Sequence, residues 1–91
     1  MEEEKKYERE KIAVVTGGVR GIGLGISLAL KKKGYRVYAL YSKDEKSAAA
    51  AQGEGVIPVK GDVRNEAEIV AFFSVLRHVD VLVNNAGIAV A

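Results

Sequence analysis

The chain of 91 residues has no cysteine, one histidine and one proline. Without cysteine, neither a disulfide framework nor a thiolate metal site can form, and a single histidine, His78, argues equally against a histidine-rich metal site. No apolar run approaches the roughly 20 residues that a membrane helix needs, and the N-terminus lacks a signal-peptide core. A cytoplasmic protein with no membrane partner is the default expectation. Net charge is scarce too: 14 Lys and Arg against 12 Asp and Glu leave only +2, too little to argue for nucleic acid. What is present is an ordinary globular composition, 48% apolar and 29% charged, in a length that allows one domain with a small core.

Residues 1–10 form a charged stretch that reads as a solvated tail, and the pattern changes abruptly at Lys11. From there to residue 91 the chain reads as one partial domain. Ile12 to Thr16 is a short apolar, β-branched run, expected to be a buried strand. Gly21 to Lys33 has helical periodicity, with Ile22, Ile26, Ala29 and Leu30 on one face. Lys31, Lys32 and Lys33 suit its negative end, and Gly34 is a natural stop. Val37 to Tyr41 is a second strand, and Lys43 to Gln52 a weaker, alanine-rich helix. Val56 to Gly61 is a third strand, whose Pro58 belongs at a sheet edge because proline cannot donate to a ladder. Asn65 is a good N-cap for a third helix, with Ile69, Phe72, Phe73 and Leu76 on its buried side, and His78 ends it as a surface group. Val79 to Asn84 is a fourth strand. Strict alternation of strand and helix implies right-handed crossovers and an α/β fold with a Rossmann-type parallel sheet. The expected order, 3-2-1-4, puts the strand with Pro58 at an edge.

Four glycines crowd into VVTGGVRGIG, Val14 to Gly23, on the turn between the first strand and the first helix. That turn is where a doubly wound sheet binds a dinucleotide pyrophosphate. The chemistry needs a tight turn, backbone without Cβ so that phosphate oxygens can approach, and helix N–H groups aimed at the anion. Gly17, Gly21 and Gly23 have the spacing G-x-x-x-G-x-G, and no Gly-Lys-Ser/Thr follows, so the turn is not a P-loop.

Three motifs together resemble the short-chain dehydrogenase/reductase family. TGGVRGIG (Thr16 to Gly23) looks like its cofactor loop, Asp62-Val63 like its acidic motif after the third strand, and NNAG (Asn84 to Gly87) like its fourth-strand motif. The resemblance implies that Gly17, Gly21 and Gly23 cradle the pyrophosphate, with the Ile22 N–H among the donors. It implies that Asp62 and Val63 contact the adenine, and that Asn85, Ala86 and Gly87 border the adenosine ribose. Purely structural roles compete: Thr16 can satisfy backbone groups at a strand end, Asp62 can cap a turn, and Asn84 and Asn85 can tie strand ends together.

The choice of nicotinamide cofactor turns on the end of the second strand, where binders of NAD usually place an acid for the 2′-hydroxyl. Here the strand ends in Tyr41-Ser42-Lys43 with no carboxylate at that place; Asp44 and Glu45 come slightly later, and the capping-box spacing of Ser42 and Glu45 accounts for the acids without a ligand. Arg20, Ser42 and Lys43 suit a 2′-phosphate, so NADP is expected rather than NAD. The resemblance also calls for a serine, and for a tyrosine followed four residues later by a lysine, on elements beyond the fourth strand. No such residues follow it. The expectation is thus a cofactor-binding N-terminal part with no catalytic residues of its own, whose fourth strand and bare sheet face favour a homo-oligomer. The alternative is a free-standing, non-catalytic nucleotide-binding or assembly module.

Overall fold

The computed structural model describes residues 10–85. Seven elements alternate along them: β1 (Ile12–Thr16), α1 (Gly21–Lys32), β2 (Arg36–Tyr41), α2 (Glu45–Gly53), β3 (Ile57–Lys60), α3 (Glu66–Ser74) and β4 (Val81–Val83). The four strands form one sheet in the order β3-β2-β1-β4. Every pairing is parallel, with Val14 opposite Tyr38 and Leu82, and Leu40 opposite Val59. Pro58 sits on the outer strand opposite Ala39, where its missing N–H costs no ladder bond on the free side.

All five residues of β1 are buried, as befits an inner strand covered on both faces. Side chains alternate across the sheet. Ala13, Val15, Val37 and Ala39 point to one face, where they pack with Ala48 and Ala51 of α2 and with Leu24, Ile26 and Leu30 of α1. On the other face Tyr38 meets Phe72 of α3 edge-on, ring centroids 5.7 Å apart. Thr16, Leu40 and Leu82 there share a hollow with Ile69 and Phe73. One face thus carries two helices and the other only α3, which has no fully buried residue.

Helix ends follow local chemistry. The Gly34 N–H bonds to the Lys31 carbonyl at 2.9 Å and the Tyr35 N–H to that of Leu30 at 3.1 Å, with Gly34 at φ 97°. Glycine adopts that left-handed conformation without a Cβ penalty. Asn65 caps α3 by accepting from the Glu68 N–H at 3.2 Å.

Four expectations need correction. The buried stripe of α1 runs through Gly23 and Ser27, while Ile22 is 78% exposed and Ala29 also faces solvent. The helix lies so close to the sheet that only small residues fit beneath it: the Ser27 hydroxyl donates to the Gly18 carbonyl at 3.0 Å. The Ser42–Glu45 capping box does not form. Asp44 is the N-cap of α2, accepting from the Ser47 N–H at 2.9 Å and the Ser47 hydroxyl at 2.8 Å. His78 lies beyond α3, which ends at Ser74, and its Nε2 is 2.6 Å from the Glu10 carbonyl oxygen and 3.2 Å from Asp80 Oδ2. The fourth strand is only three residues long, and Asp80 just before it accepts from the Ile12 N–H at 2.8 Å through its carboxylate.

Candidate functional site

The turn after β1 is held from three sides. The Gly17 N–H bonds to the Leu40 carbonyl at 2.8 Å, which ties the loop to the end of β2. The Thr16 hydroxyl accepts from the Asn85 N–H at 2.8 Å and lies within 3.4 Å of the Val83 carbonyl and 3.3 Å of Asn84 Oδ1. Asn85 Nδ2 donates to the Gly17 carbonyl at 3.2 Å. Gly17 and Gly21 have φ of 65° and 59°, a conformation that L side chains rarely adopt. A Cβ on Gly23 would collide with the Gly17 carbonyl and come within 2.7 Å of Asn85 Nδ2. The three glycines therefore do different work: two reverse the chain, and the third lets α1 start against the loop.

The N-terminus of α1 is chemically bare compared with the others. Its N-cap, Arg20, makes no side-chain capping bond, and no acid stands in the first turn. The first helical bond runs from the Leu24 N–H to the Arg20 carbonyl at 3.1 Å, so the N–H groups of Gly21, Ile22 and Gly23 precede the ladder. The positive end of the helix dipole thus meets a glycine turn, the arrangement that accepts a phosphate.

Around Gly17 the carboxyl ends of β1, β2 and β3 border an open groove of two adjoining lobes, of about 380 and 400 Å³, that share Gly17, Tyr41 and Ser42 in their linings. One lobe is lined by Asp62, Val63 and Arg64, the other by Arg20, Lys43 and Asp44. Of the residues singled out from sequence, Gly17, Arg20, Ser42, Lys43, Asp62 and Val63 therefore line one groove. Asn85 does not line it but bonds to the carbonyl of Gly17, which does. Ala86 and Gly87 lie outside the described residues.

Asp62 is fixed before any ligand arrives. Its carboxylate accepts from Arg64 Nε at 3.1 Å, Arg64 Nη2 at 2.9 Å and the Arg64 N–H at 2.9 Å. The Arg64 guanidinium, followed by its backbone N–H, lowers the Asp62 pKa from 3.8 to about 2. At the start of α2 Glu45 bridges Lys60 at 2.7 Å and the Tyr41 hydroxyl at 2.9 Å. The Lys60 contact, followed by that of Tyr41, lowers the Glu45 pKa, and the bond to Glu45 raises that of Tyr41.

Asp44, set aside in the sequence as one of the acids that a Ser42–Glu45 capping box would explain, lies in the site. Its carboxylate lines the lobe with Ser42 and Lys43 and meets Arg20 Nη1 at 3.2 Å. That box does not form, and Asp-x-x-Ser, Asp44 to Ser47, is itself a capping pattern. Among the described residues no group of three or more His, Cys, Asp or Glu can hold a metal, and no helix there is long and apolar enough to cross a membrane. A tyrosine four residues before a lysine does occur once, as Tyr7 and Lys11, ahead of β1 and not beyond β4, where the family resemblance would require it.

The comparisons with known proteins agree with this geometry. The family model for short chain dehydrogenase matches residues 11–91. An acetoacetyl-CoA reductase of Shinella zoogloeoides is 46% identical over 83 residues, covering 86% of this chain and 34% of that protein. Dehydrogenase/reductase SDR family member 11 of Gallus gallus is 40% identical over 90 residues, covering 87% and 35%. The crystal structure of BdcA in complex with NADPH superposes with a TM-score of 0.79 at 30% identity, over 88% of this chain and 33% of that one. The chain thus spans about a third of the length of the curated relatives it matches.

Proposed function

The chain belongs to the short-chain dehydrogenase family, and from that premise we propose that it is the cofactor-binding N-terminal portion of an NADP-dependent oxidoreductase acting on a carbonyl or hydroxyl group. The observation that carries the reading is the groove itself, in which Gly17, Arg20, Ser42, Lys43, Asp62 and Val63 converge at the carboxyl ends of three parallel strands. That is where open α/β sheets take their ligands.

In this reading the dinucleotide pyrophosphate lies over Gly17, Gly21 and Gly23, against the N–H groups that open α1. The adenine sits by Asp62 and Val63, whose loop Arg64 holds rigid. The 2′-phosphate meets Arg20, Ser42 and Lys43, a guanidinium, a hydroxyl and an ammonium that together match its charge and acceptors. Asn85, with Ala86 and Gly87, borders the adenosine ribose. The cofactor supplies hydride; the chain's own residues bind and orient its adenosine end.

Residues 11–91 are read as the binding domain, which Glu10 also touches through its carbonyl at His78 Nε2. Among the described residues none stands where the family resemblance calls for a general acid, and the reading is that this portion binds cofactor without turning over substrate by itself. NADP is named over NAD because two cations line the lobe at the end of β2. BdcA, whose crystal structure contains NADPH, supports the same choice.

Calorimetric titration of the chain and its Arg20→Ala variant with NADP and NAD tests the reading. A charge-assisted contact to the 2′-phosphate should make Arg20→Ala weaken NADP by about ten- to a hundredfold and NAD far less. Equal losses for both would leave Arg20 as a loop-shaping residue and remove the case for NADP.

A further inference from the structure

Ser27, in the middle of α1, is a polar residue with 0% exposure. A serine inside a helix commonly donates back to its own helix, four residues earlier. The Ser27 hydroxyl instead reaches the Gly18 carbonyl, nine residues back, at 3.0 Å. Gly18 lies hard against it: an added Cβ would stand 2.7 Å from Ser27 Oγ, 2.8 Å from Ala39 Cβ and 2.9 Å from the Val15 carbonyl oxygen. We propose, resting on the cofactor reading, that Ser27 is a positioning residue for nucleotide binding, acting through the Gly18–Val19 peptide to aim the Val19 N–H at a cofactor phosphate.

In a trans peptide the carbonyl and the following N–H point in opposite directions, and none of the described peptide bonds is cis. Holding the Gly18 carbonyl against Ser27 therefore turns the Val19 N–H away from Ser27. Among the described residues this N–H makes no hydrogen bond. Val19 nevertheless lines the lobe that contains Arg20, Ser42 and Lys43. Its side chain belongs to the core with Ala13, Val15, Val37 and Ala39, and a valine has polar atoms only in its main chain. The N–H is thus the one donor that Val19 can offer an anion. It stands on a loop with no ladder of its own, so its direction depends on what holds the neighbouring carbonyl. Loss of the Ser27 hydroxyl would leave that carbonyl without its donor, and the peptide plane would turn toward another.

The unaltered chain, Ser27→Ala and Ser27→Thr are compared by calorimetric titration with NADP and by hydrogen exchange of the backbone amides, below the melting range of each. Ser27→Ala should weaken NADP about fivefold, the scale of one hydrogen bond. NADP should slow exchange of the Val19 amide in the unaltered chain and much less in Ser27→Ala, while it protects the Ile22 amide in both. Ser27→Thr keeps the donor and should bring the affinity to within about twofold of the unaltered chain. A purely structural serine would lower the melting temperature of Ser27→Ala and leave the affinity and the Val19 exchange untouched. That result overturns the proposal with the cofactor reading intact. If a variant does not fold, the unaltered chain decides: a Val19 amide that NADP fails to slow, while it slows that of Ile22, overturns the proposal as well. Binding of NADP to none of the three would refute the cofactor reading itself, and this proposal with it.

Discussion

Asn85 and Gly17 stand 68 positions apart in the chain, and the Asn85 side-chain amide closes on the Gly17 carbonyl at 3.2 Å. The contact ties the end of β4 to the first residue of the glycine turn. It also defines the space into which α1 must fit, because a Cβ on Gly23 would strike that same carbonyl and the amide. Sequence-distant residues therefore fix the shape of the loop before any ligand binds.

Two glycines two residues apart should consequently behave in opposite ways. Gly23→Ala must push α1 away from Gly17 and Asn85, a cost of about 1–3 kcal/mol for overpacking. Gly25 lies on the exposed side of the same helix, with nothing within 4 Å of an added Cβ. Gly25→Ala should stabilise by about 0.5–1 kcal/mol, the usual difference in a helix interior. Urea unfolding of the two variants measures both; equal effects would mean that the turn does not constrain the helix start.

The Asp62–Arg64 clasp makes a pH prediction. The folded pKa of Asp62, about 2, lies below its ordinary 3.8. A depressed carboxylate pKa contributes stability that is fully present above the unfolded pKa and is lost as pH falls through the folded one. The contribution should therefore fade between about pH 4 and pH 2. NMR titration of the Asp62 carboxyl carbon should give a midpoint near 2, and Arg64→Ala should move it up toward the ordinary value. A midpoint that ignores the loss of Arg64 would assign the shift to some other cause.

Association should follow from the outer side of β4, which among the described residues pairs only with β1. Leu82 on this strand is 57% exposed and Val63 beside the groove 41%. A flat apolar edge is a template for pairing with another chain, and a two-fold dimer is the commonest closed solution. Sedimentation at micromolar concentration should show self-association, and Leu82→Lys should reduce it. A monodisperse monomer under those conditions would refute this.

The sequence carried the order of the elements well, because each signal was local. Short apolar runs marked the strands, Asn65 and Gly34 marked helix ends, and Pro58 marked the edge strand. The errors arose where packing overrode the local pattern. Aliphatic periodicity nominated Ile22 and Ala29 for the core, yet the helix sits so near the sheet that Gly23 and Ser27 take the buried positions. The convergence of the glycine loop with Ser42, Lys43, Asp62 and Val63 was legible because topology alone brings strand ends together. The pairing of Arg20 with Asp44 across 24 positions was not, since it depends on how two loops face each other. Nor could local pattern show that Arg64 would clasp Asp62 with three bonds.

The central claim is that one groove takes the adenosine and pyrophosphate end of NADP. NMR titration of the backbone amides with NADP tests it most directly. The account predicts saturable shifts from Gly17 through Gly23, at Ser42 and Lys43, and at Asp62 and Val63, with weak affinity that falls further as salt is added. No perturbation of the Gly17 to Gly23 amides at millimolar NADP would contradict it.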